Sequence, residues 1–181
     1  MTRRFYAVTA YSAVNALGQT TNEVLAGLDE GRSGLGPSPI DIPMDTFVGA
    51  VPGELAPLPS EYRAFDCRMA RIAALALVDV RGAVDRAVGR WGADRVAVIL
   101  GTSTGGLEAT ENAFSAWRDT GAVPEQFDYH RQHDFNAMGT LLSKMTGIEG
   151  PVYTISTACS SGGKVMAVII ELLGHRTGVS P

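Results

Sequence analysis

The sequence predicts an α/β domain in which helices and strands form packed layers. Runs rich in β-branched and aromatic residues alternate along the chain with runs whose apolar residues recur at helical spacing. One predicted strand, residues 95–100, is a nearly continuous apolar run of the kind that parallel sheets bury on both faces. A length of 181 residues suits one domain with a sizeable core.

The first third of the chain combines a strand, a helix and a proline-rich excursion. Residues 4–8 are predicted as the first strand. Thr20 and Glu23 fit a capping box, which opens a helix that continues through Leu28 and stops at Gly31. Residues 34–60 hold six of the nine prolines, so we expect an irregular surface segment with a short strand near 47–51.

The rest of the chain alternates helices with strands and short turns. Apolar residues at helical spacing predict a long helix over residues 68–88. The predicted elements that follow are strand 95–100, helix 106–120, a loop or short helix over 125–134, helix 136–145 ended by Gly147, strand 152–155 and helix 165–173.

The composition argues against several classes of function. A net charge of −4 and a pI near 5.3 argue against nucleic acid as the main partner. No apolar run reaches the length of a membrane span, and the N-terminus mixes polar and apolar residues too early for a signal peptide. The two cysteines lie far apart without metal spacing, which is typical of free thiols in a reducing cytosol. We therefore expect a cytoplasmic protein with no membrane or nucleic-acid partner.

The most informative segment is residues 151–165, PVYTISTACSSGGKV. Here a strand runs into a turn of small residues that holds Cys159, and a helix follows. A thiol at the start of a helix meets unpaired N–H groups and the positive end of the helix dipole, which favour the thiolate. Cys159 is therefore the candidate nucleophile, with a buried packing residue as the alternative interpretation. Cys67 has nothing evident nearby to activate it, and we predict that it only fills space.

Several segments resemble the β-ketoacyl-acyl-carrier-protein synthases, the condensing enzymes of fatty-acid and polyketide assembly. STACSSGGKV resembles their nucleophile segment. VTAYSAVNALGQTTNEVLAGLDEGRSGL resembles their opening strand, turn and first helix, and it ends in the "G-x-S-G-[IL]" signature at residues 31–35. FDCRMARIAALAL resembles the helix that opens "R-M-D-R", and RVAVILGTSTGGL resembles the glycine-rich strand end. The resemblance runs from about residue 5 to about residue 167.

The resemblance implies a thiolase-like layered fold, in which helices pack on a mixed, mostly parallel sheet. Residues 1–181 would form the N-terminal half of this fold only, with the C-terminal half absent. Half of such a fold would expose a large apolar face, so we expect self-association or instability.

The resemblance also implies the reaction and the partners. Cys159 would accept an acyl group, and a malonyl thioester would then be decarboxylated and condensed with it. Acyl carrier protein and acyl and malonyl thioesters would be the partners, in a homodimer or a heterodimer with another synthase subunit, without a cofactor. The family's two catalytic histidines belong to the C-terminal half, so His130, His133 and His175 receive no role. A non-catalytic partner or chain-length subunit is the alternative.

Further site residues follow from the resemblance. Arg68 and Arg71 match basic residues that dock acyl carrier protein, although Ala70 stands where the family often has aspartate; a solvated arginine face is the alternative. Thr104 would lie near the acyl chain. Phe135 and Met138 share a predicted helical face that would line the acyl pocket, and plain core packing explains them at least as well.

The glycine-rich segment of residues 101–106 also supports a different hypothesis. Its G-x-S-x-G pattern places Ser103 directly after a strand and before a helix, as in the nucleophile turn of serine hydrolases, but no HGGG-type oxyanion loop precedes it. Leu107 and Glu108 stand where a phosphate-binding loop needs lysine and Ser/Thr. No set of His, Cys and carboxylate residues has metal spacing either, so we predict neither a metal nor a nucleotide.

Overall fold

The structure, a computed structural model, describes the backbone of residues 5–38 and 43–176 and the side chains through residue 173. These ranges contain six α-helices: Thr21–Asp29 (α1), Arg68–Trp91 (α2), Leu107–Thr120 (α3), Tyr129–Gln132 (α4), Ala137–Thr146 (α5) and Ser161–Arg176 (α6). Their four strands are Gly36–Pro37 (β1), Phe47–Val48 (β2), Val98–Gly101 (β3) and Val152–Ile155 (β4), and 3₁₀ helices cover Ser60–Phe65 and Ala93–Arg95.

A parallel pair of strands positions the candidate site. β3 and β4 pair in parallel from Val98 opposite Val152 to Gly101 opposite Ile155. Helices α5 and α6 both pack against these strands. Because parallel strands end at the same edge, the glycine-rich segment after β3 and the cysteine turn after β4 emerge side by side. The N–H of Thr102 continues the ladder by donating to the Ile155 carbonyl at 3.1 Å.

The core lies between α2, α5 and the 3₁₀ helix Ser60–Phe65. Its buried cluster consists of Leu58, Phe65, Ala70, Met138 and Leu141, of which Leu141 is fully buried. Close approach of α5 to β4 depends on a glycine: a Cβ at Gly139 would lie 2.9 Å from Val152 Cγ1. This packing fixes the strand from which the cysteine turn departs.

The structure confirms most of the predicted helices. Thr20 caps α1 in a complete capping box, since its side chain accepts from the Glu23 N–H while the Glu23 carboxylate accepts from the Thr20 N–H. The predicted irregular course of residues 34–60 is confirmed for its described part, and residues 39–42 lie outside the described residues.

The short strand β1 was not expected, because its Pro37 cannot donate a ladder hydrogen bond. No described helix combines the length and apolar character needed to cross a membrane.

The predicted strand over residues 4–8 is wrong. Residues 5–8 form no strand, although their side chains favour one, and residue 4 lies outside the described residues. A strand needs a neighbour to share its ladder hydrogen bonds, and the described ranges contain no partner for this segment. Phe5 is accordingly 89% exposed and Val8 75% exposed.

Other predictions differ from the structure in extent. Instead of one mixed sheet, the described residues form two separate two-stranded sheets, β1–β2 antiparallel and β3–β4 parallel. β3 begins at Val98 and not at residue 95, because Ala93–Arg95 forms a 3₁₀ helix. α6 begins at Ser161 and not at residue 165, because the Lys164 N–H donates to the Ser160 carbonyl and draws Gly162 and Gly163 into the helix.

Candidate active site

Cys159 lies on an exposed turn between β4 and the start of α6. The turn, residues 156–160, is exposed to solvent throughout, and the Cys159 thiol is free. Ala158 has a φ of 50°, and it is the one non-glycine residue with positive φ in the described ranges. A left-handed backbone at a residue with a Cβ costs about 1–2 kcal/mol and persists only where surrounding contacts impose it. This conformation turns the chain sharply where it presents the thiol.

The side chain of Ser161 is one of the groups that hold this turn, beside the Ser160 N–H and Oγ, which both donate to the Thr157 carbonyl, and the Ser161 N–H, which donates to the Ala158 carbonyl. Ser161 is only 4% exposed, whereas the residues before it are exposed. Its Oγ accepts a hydrogen bond from the Thr157 N–H at 2.9 Å. The same Oγ lies 2.7 Å from the Ala158 carbonyl oxygen and 3.0 Å from that of Thr102, so its one hydrogen has two acceptors within reach. One buried hydroxyl therefore ties the cysteine turn to the end of β3.

The segment after β3 is itself tightly folded. Thr102 Oγ1 accepts from the Thr104 N–H at 3.3 Å and donates to the Thr104 carbonyl at 2.6 Å. A Cβ at Gly105 or Gly106 would collide with the backbone carbonyls of His133 and Gln132, so both positions require glycine. The glycines after Ser103 therefore allow close backbone packing against the end of α4.

The family model of the beta-ketoacyl synthase N-terminal domain matches residues 6–177. The chain belongs to this family.

Two kinds of relative support the assignment. Nodulation protein E of Rhizobium meliloti strain 1021 is 27% identical over 169 residues, which are 91% of this chain and 42% of that protein. A solved structure of a ketosynthase in complex with its chain length factor, from Xenorhabdus doucetiae, superimposes with a TM-score of 0.76 at 29% identity, covering 90% of this chain and 43% of that one. The chain thus spans less than half the length of these relatives.

A more distant structure supports the fold alone. The beta-ketoacyl synthase of Burkholderia phymatum STM815 matches with a TM-score of 0.67 at 20% identity, over 92% of this chain and 43% of that one. Together the two solved structures confirm the predicted thiolase-like layered fold for the N-terminal part of a synthase.

The two arginines predicted to dock a carrier protein have different surroundings in the synthase domain. Arg71 forms a two-pronged ion pair with Asp66, with Nε–Oδ1 at 2.7 Å and Nη2–Oδ2 at 2.8 Å. Hydrogen bonding from Arg71 lowers the pKa of the Asp66 carboxyl below its ordinary value, against the opposing effect of burial. Arg68 is exposed and lines a neighbouring cleft of about 630 Å³.

Ala70, which stands where the family often has aspartate, offers no carboxylate to Arg71. Ala70 is 1% exposed and belongs to the core cluster, where a carboxylate would be buried. Asp66 instead provides the carboxylate for Arg71. The sequence does not reveal this pairing, because the separation of five residues between Asp66 and Arg71 is not a helical spacing.

The residues predicted for acyl binding lie in different surroundings. Thr104 is exposed and lines a cleft of about 280 Å³ with Met69, Ile72 and Leu107. Met138 is 4% exposed in the core cluster, and Phe135 is 44% exposed just before α5. Neither cleft includes Cys159. The cysteine turn is a candidate site because its thiol is exposed and its backbone is constrained, and not because it lines a large cavity.

Cys67 differs from Cys159 in a way that matters for reactivity. It is half-buried between the two clefts, and its Sγ donates to the Gln132 carbonyl at 3.9 Å. Burial raises the pKa of the Cys67 thiol, which lowers its thiolate fraction at neutral pH. A space-filling role for Cys67 is consistent with these surroundings.

The His133 side chain has a hydrogen-bonding partner and a stacking partner. His133 Nδ1 lies 2.6 Å from Thr110 Oγ1, and its ring stacks on Tyr129 with centroids 4.9 Å apart. Ser103 is exposed, and among the described side chains no hydrogen bond joins it to a histidine. The geometry that a serine hydrolase needs is therefore not assembled within these residues.

Proposed function

We propose that this domain supplies the acyl-accepting cysteine of a β-ketoacyl-acyl-carrier-protein synthase. The observation that carries the proposal is the placement of Cys159, a free and exposed thiol on a constrained turn just before α6. Membership of the synthase family over residues 6–177 supports the same role.

The first step is acyl transfer from one thiol to another. The Cys159 thiolate attacks the carbonyl carbon of an acyl thioester, a new S–C bond forms, and the carrier's thiolate departs and takes up a proton. The Cys159 N–H, at the entrance to α6, supplies part of the oxyanion hole for the tetrahedral intermediate. The product is itself a thioester, so the acyl group stays reactive.

The second step joins carbon to carbon. Decarboxylation of a malonyl thioester releases CO₂ and leaves a carbanion, which attacks the Cys159-bound acyl group and expels the thiolate. In the family this step uses two histidines of the C-terminal half, and we propose that they complete the site in the whole protein. No cofactor takes part in either step.

Carrier-protein docking is proposed to involve Arg68 more than Arg71. Acyl carrier protein presents an acidic helix, and an exposed guanidinium attracts it at little cost in desolvation. Arg68 is exposed, whereas the charge of Arg71 is already balanced by Asp66. Arg71 contributes by stabilising the start of α2.

The acyl chain is proposed to lie beside Thr104. The cleft that Thr104 lines has the apolar side chains of Met69, Ile72 and Leu107 along its walls, which suits a hydrocarbon chain. Phe135, which is exposed, and Met138, which is buried in the core cluster, are proposed to contribute further apolar surface for the acyl chain. Such acyl groups are used in fatty-acid and polyketide synthesis, and we propose that the protein acts in one of these processes in the cytoplasm.

A non-catalytic partner subunit is the second candidate function. A solved relative is a ketosynthase in complex with its chain length factor, which makes a two-subunit assembly a reasonable expectation for this chain. A homodimer or a heterodimer with another synthase subunit is therefore part of the proposal. In the family such partner subunits usually lack the nucleophile, so Cys159 favours the catalytic role.

Intact-mass spectrometry after incubation with an acyl thioester tests the proposal. We expect one acyl adduct on the wild type and on Ser103→Ala, and none on Cys159→Ala. Loss of the adduct only in Ser103→Ala would instead indicate a serine hydrolase. A wild-type chain that gains no adduct in the presence of its partner subunit would favour the non-catalytic role.

A further inference from the structure

The hydroxyl of Ser161 joins two segments that approach the candidate nucleophile from different strands. It is 4% exposed, accepts from the Thr157 N–H, and faces the carbonyls of Ala158 and Thr102. A serine has one hydrogen to donate and two lone pairs to accept with. Its three neighbours thus use most of its bonding capacity, and all three are backbone groups.

We propose that Ser161 is a positioning residue for acylation of Cys159, acting through the backbone of the cysteine turn. This inference rests on the proposed function. Ser161 itself touches no reacting atom, because its Oγ is occupied by the three backbone groups.

The geometry explains how the effect reaches Cys159. Thr157 and Ala158, the two residues immediately before the cysteine, are both bonded to the Ser161 side chain. Ala158 has a φ of 50°, which an alanine adopts only under constraint. Without the hydroxyl, Ala158 can relax toward negative φ, and the relaxation rotates the next peptide unit, which contains the Cys159 N–H. Acylation needs that N–H to be aligned with the developing oxyanion.

Two reactions of the Cys159 thiol distinguish a change in the position of its backbone N–H from a general loss of stability of the domain. Acylation by a thioester passes through a tetrahedral oxyanion, whereas alkylation by iodoacetamide is a direct displacement at carbon and needs only an exposed thiolate. When both rates are measured at one pH, any change in thiolate fraction cancels in their ratio. The ratio of the acylation rate to the alkylation rate of Cys159 therefore measures how well the Cys159 N–H is aligned with the developing oxyanion.

The experiment compares Ser161→Ala and Ser161→Thr with Ser143→Ala in the full chain. Ser143→Ala is the matched control, because it removes another hydroxyl that donates to a carbonyl, that of Ile148 at 2.7 Å, far along the chain. Trypsin places the two cysteines on separate peptides, residues 64–68 and 145–164, so Cys67 serves as an internal reference.

We expect Ser161→Ala to lower the acylation-to-alkylation ratio of Cys159 by about tenfold or more. Ser161→Thr, which keeps the hydroxyl, should retain most of the wild-type ratio, and Ser143→Ala should leave it unchanged. An unchanged ratio in Ser161→Ala, an equal loss in Ser161→Thr, or a parallel rise in Cys67 alkylation would overturn the proposal. The last outcome would show general loosening of the domain.

Amide hydrogen exchange tests the role of Ser161 even if the proposed function is wrong. A wild-type chain without any acylation would contradict the proposed function. The role of Ser161 would then be judged on exchange of the amides in residues 156–161. Faster exchange there in Ser161→Ala, without change elsewhere, would uphold the positioning of the turn, and unchanged exchange would overturn it.

Discussion

The thiols of Cys159 and Cys67 differ in exposure and in the groups around them. Cys159 lies on an open turn before α6, whereas Cys67 is half-buried and bonded to the Gln132 carbonyl. A raised pKa further lowers the nucleophilicity of Cys67 at neutral pH. At the scale of single residues, the site therefore depends on where the backbone places a side chain more than on residue type.

The Asp66–Arg71 pair makes a pH-dependent contribution to stability. The folded-state pKa of Asp66 is lowered, so the contribution is present above the ordinary pKa of aspartate and disappears as the pH falls through the folded value. Arg71 is 35% exposed, and solvent screening limits the contribution to about 1 kcal/mol. We expect Asp66→Asn to lower the free energy of urea unfolding by that amount at pH 7 and by almost nothing at pH 2.

The control for this prediction is Asp85→Asn. Asp85 pairs with Arg81 at 2.8 Å on the exposed face of α2, with both side chains about half exposed. Its removal should cost only about 0.3 kcal/mol at pH 7. Equal losses in the two variants, or a loss in Asp66→Asn that persists at pH 2, would refute the assigned role of the pair.

We expect Arg68 to contribute to carrier-protein binding and Arg71 to contribute to the stability of the fold. Arg68→Ala should weaken binding of acyl carrier protein without changing the free energy of unfolding, because its side chain is exposed. Arg71→Ala should lower the free energy of unfolding by about 1–2 kcal/mol, because Asp66 loses its partner. Surface plasmon resonance at two salt concentrations and urea titration measure the two effects. Binding loss in Arg71→Ala alone would reverse the assignment.

At the scale of elements, the parts with strong local signals were predictable. The capping box at Thr20, the apolar periodicity of α2 and the β-branched run of β4 all led to elements that the structure contains. These signals act over a few residues, so the sequence carries them directly. The position of Cys159 after a strand and before a helix was predictable for the same reason.

Features that depend on distant partners were not predictable. The strand over residues 4–8 fails because no described neighbour pairs with it, and the sequence does not show which strands will meet. The link from Ser161 to Thr102 joins residues that are 59 positions apart. The sequence predicts only a turn of small residues around Cys159, and the hydrogen bonds of Ser161 are visible only in the structure.

The contact between α5 and β4 provides a test at this scale. Gly139→Ala adds a Cβ that would lie 2.9 Å from Val152 Cγ1, and overpacking should lower the free energy of unfolding by about 1–3 kcal/mol. Gly89→Ala on α2 is the matched control, because its Cβ would meet open space and alanine favours helix by up to about 1 kcal/mol. Chemical denaturation of both variants measures the difference. Stabilisation by Gly139→Ala would show that α5 has room to move.

At the scale of the whole molecule, the domain exposes many large apolar side chains. Met166 and Ile170 lie one helical turn apart on α6 and are 58% and 55% exposed, and Phe114 and Trp117 on α3 are 59% and 47% exposed. Such surface favours association in water. We expect the weight-average mass in sedimentation equilibrium to rise with concentration, and to rise less in Ile170→Lys.

The control for association is Leu28→Lys. Leu28 is 61% exposed near the end of α1, on a different element. The same change of charge should leave association close to that of the wild type. A chain that remains monomeric at every concentration, and melts cooperatively, would contradict the prediction that the exposed apolar side chains of α6 cause self-association.

The most direct test of the central claim is the location of a transferred acyl group. Trypsin places Cys67, Ser103 and Cys159 on three separate peptides, residues 64–68, 96–118 and 145–164. After brief incubation with an acyl thioester, peptide mass spectrometry should find the acyl group on residues 145–164 of the wild type and on none of the three in Cys159→Ala. An acyl group that resides mainly on the Cys67 or Ser103 peptide would contradict the account.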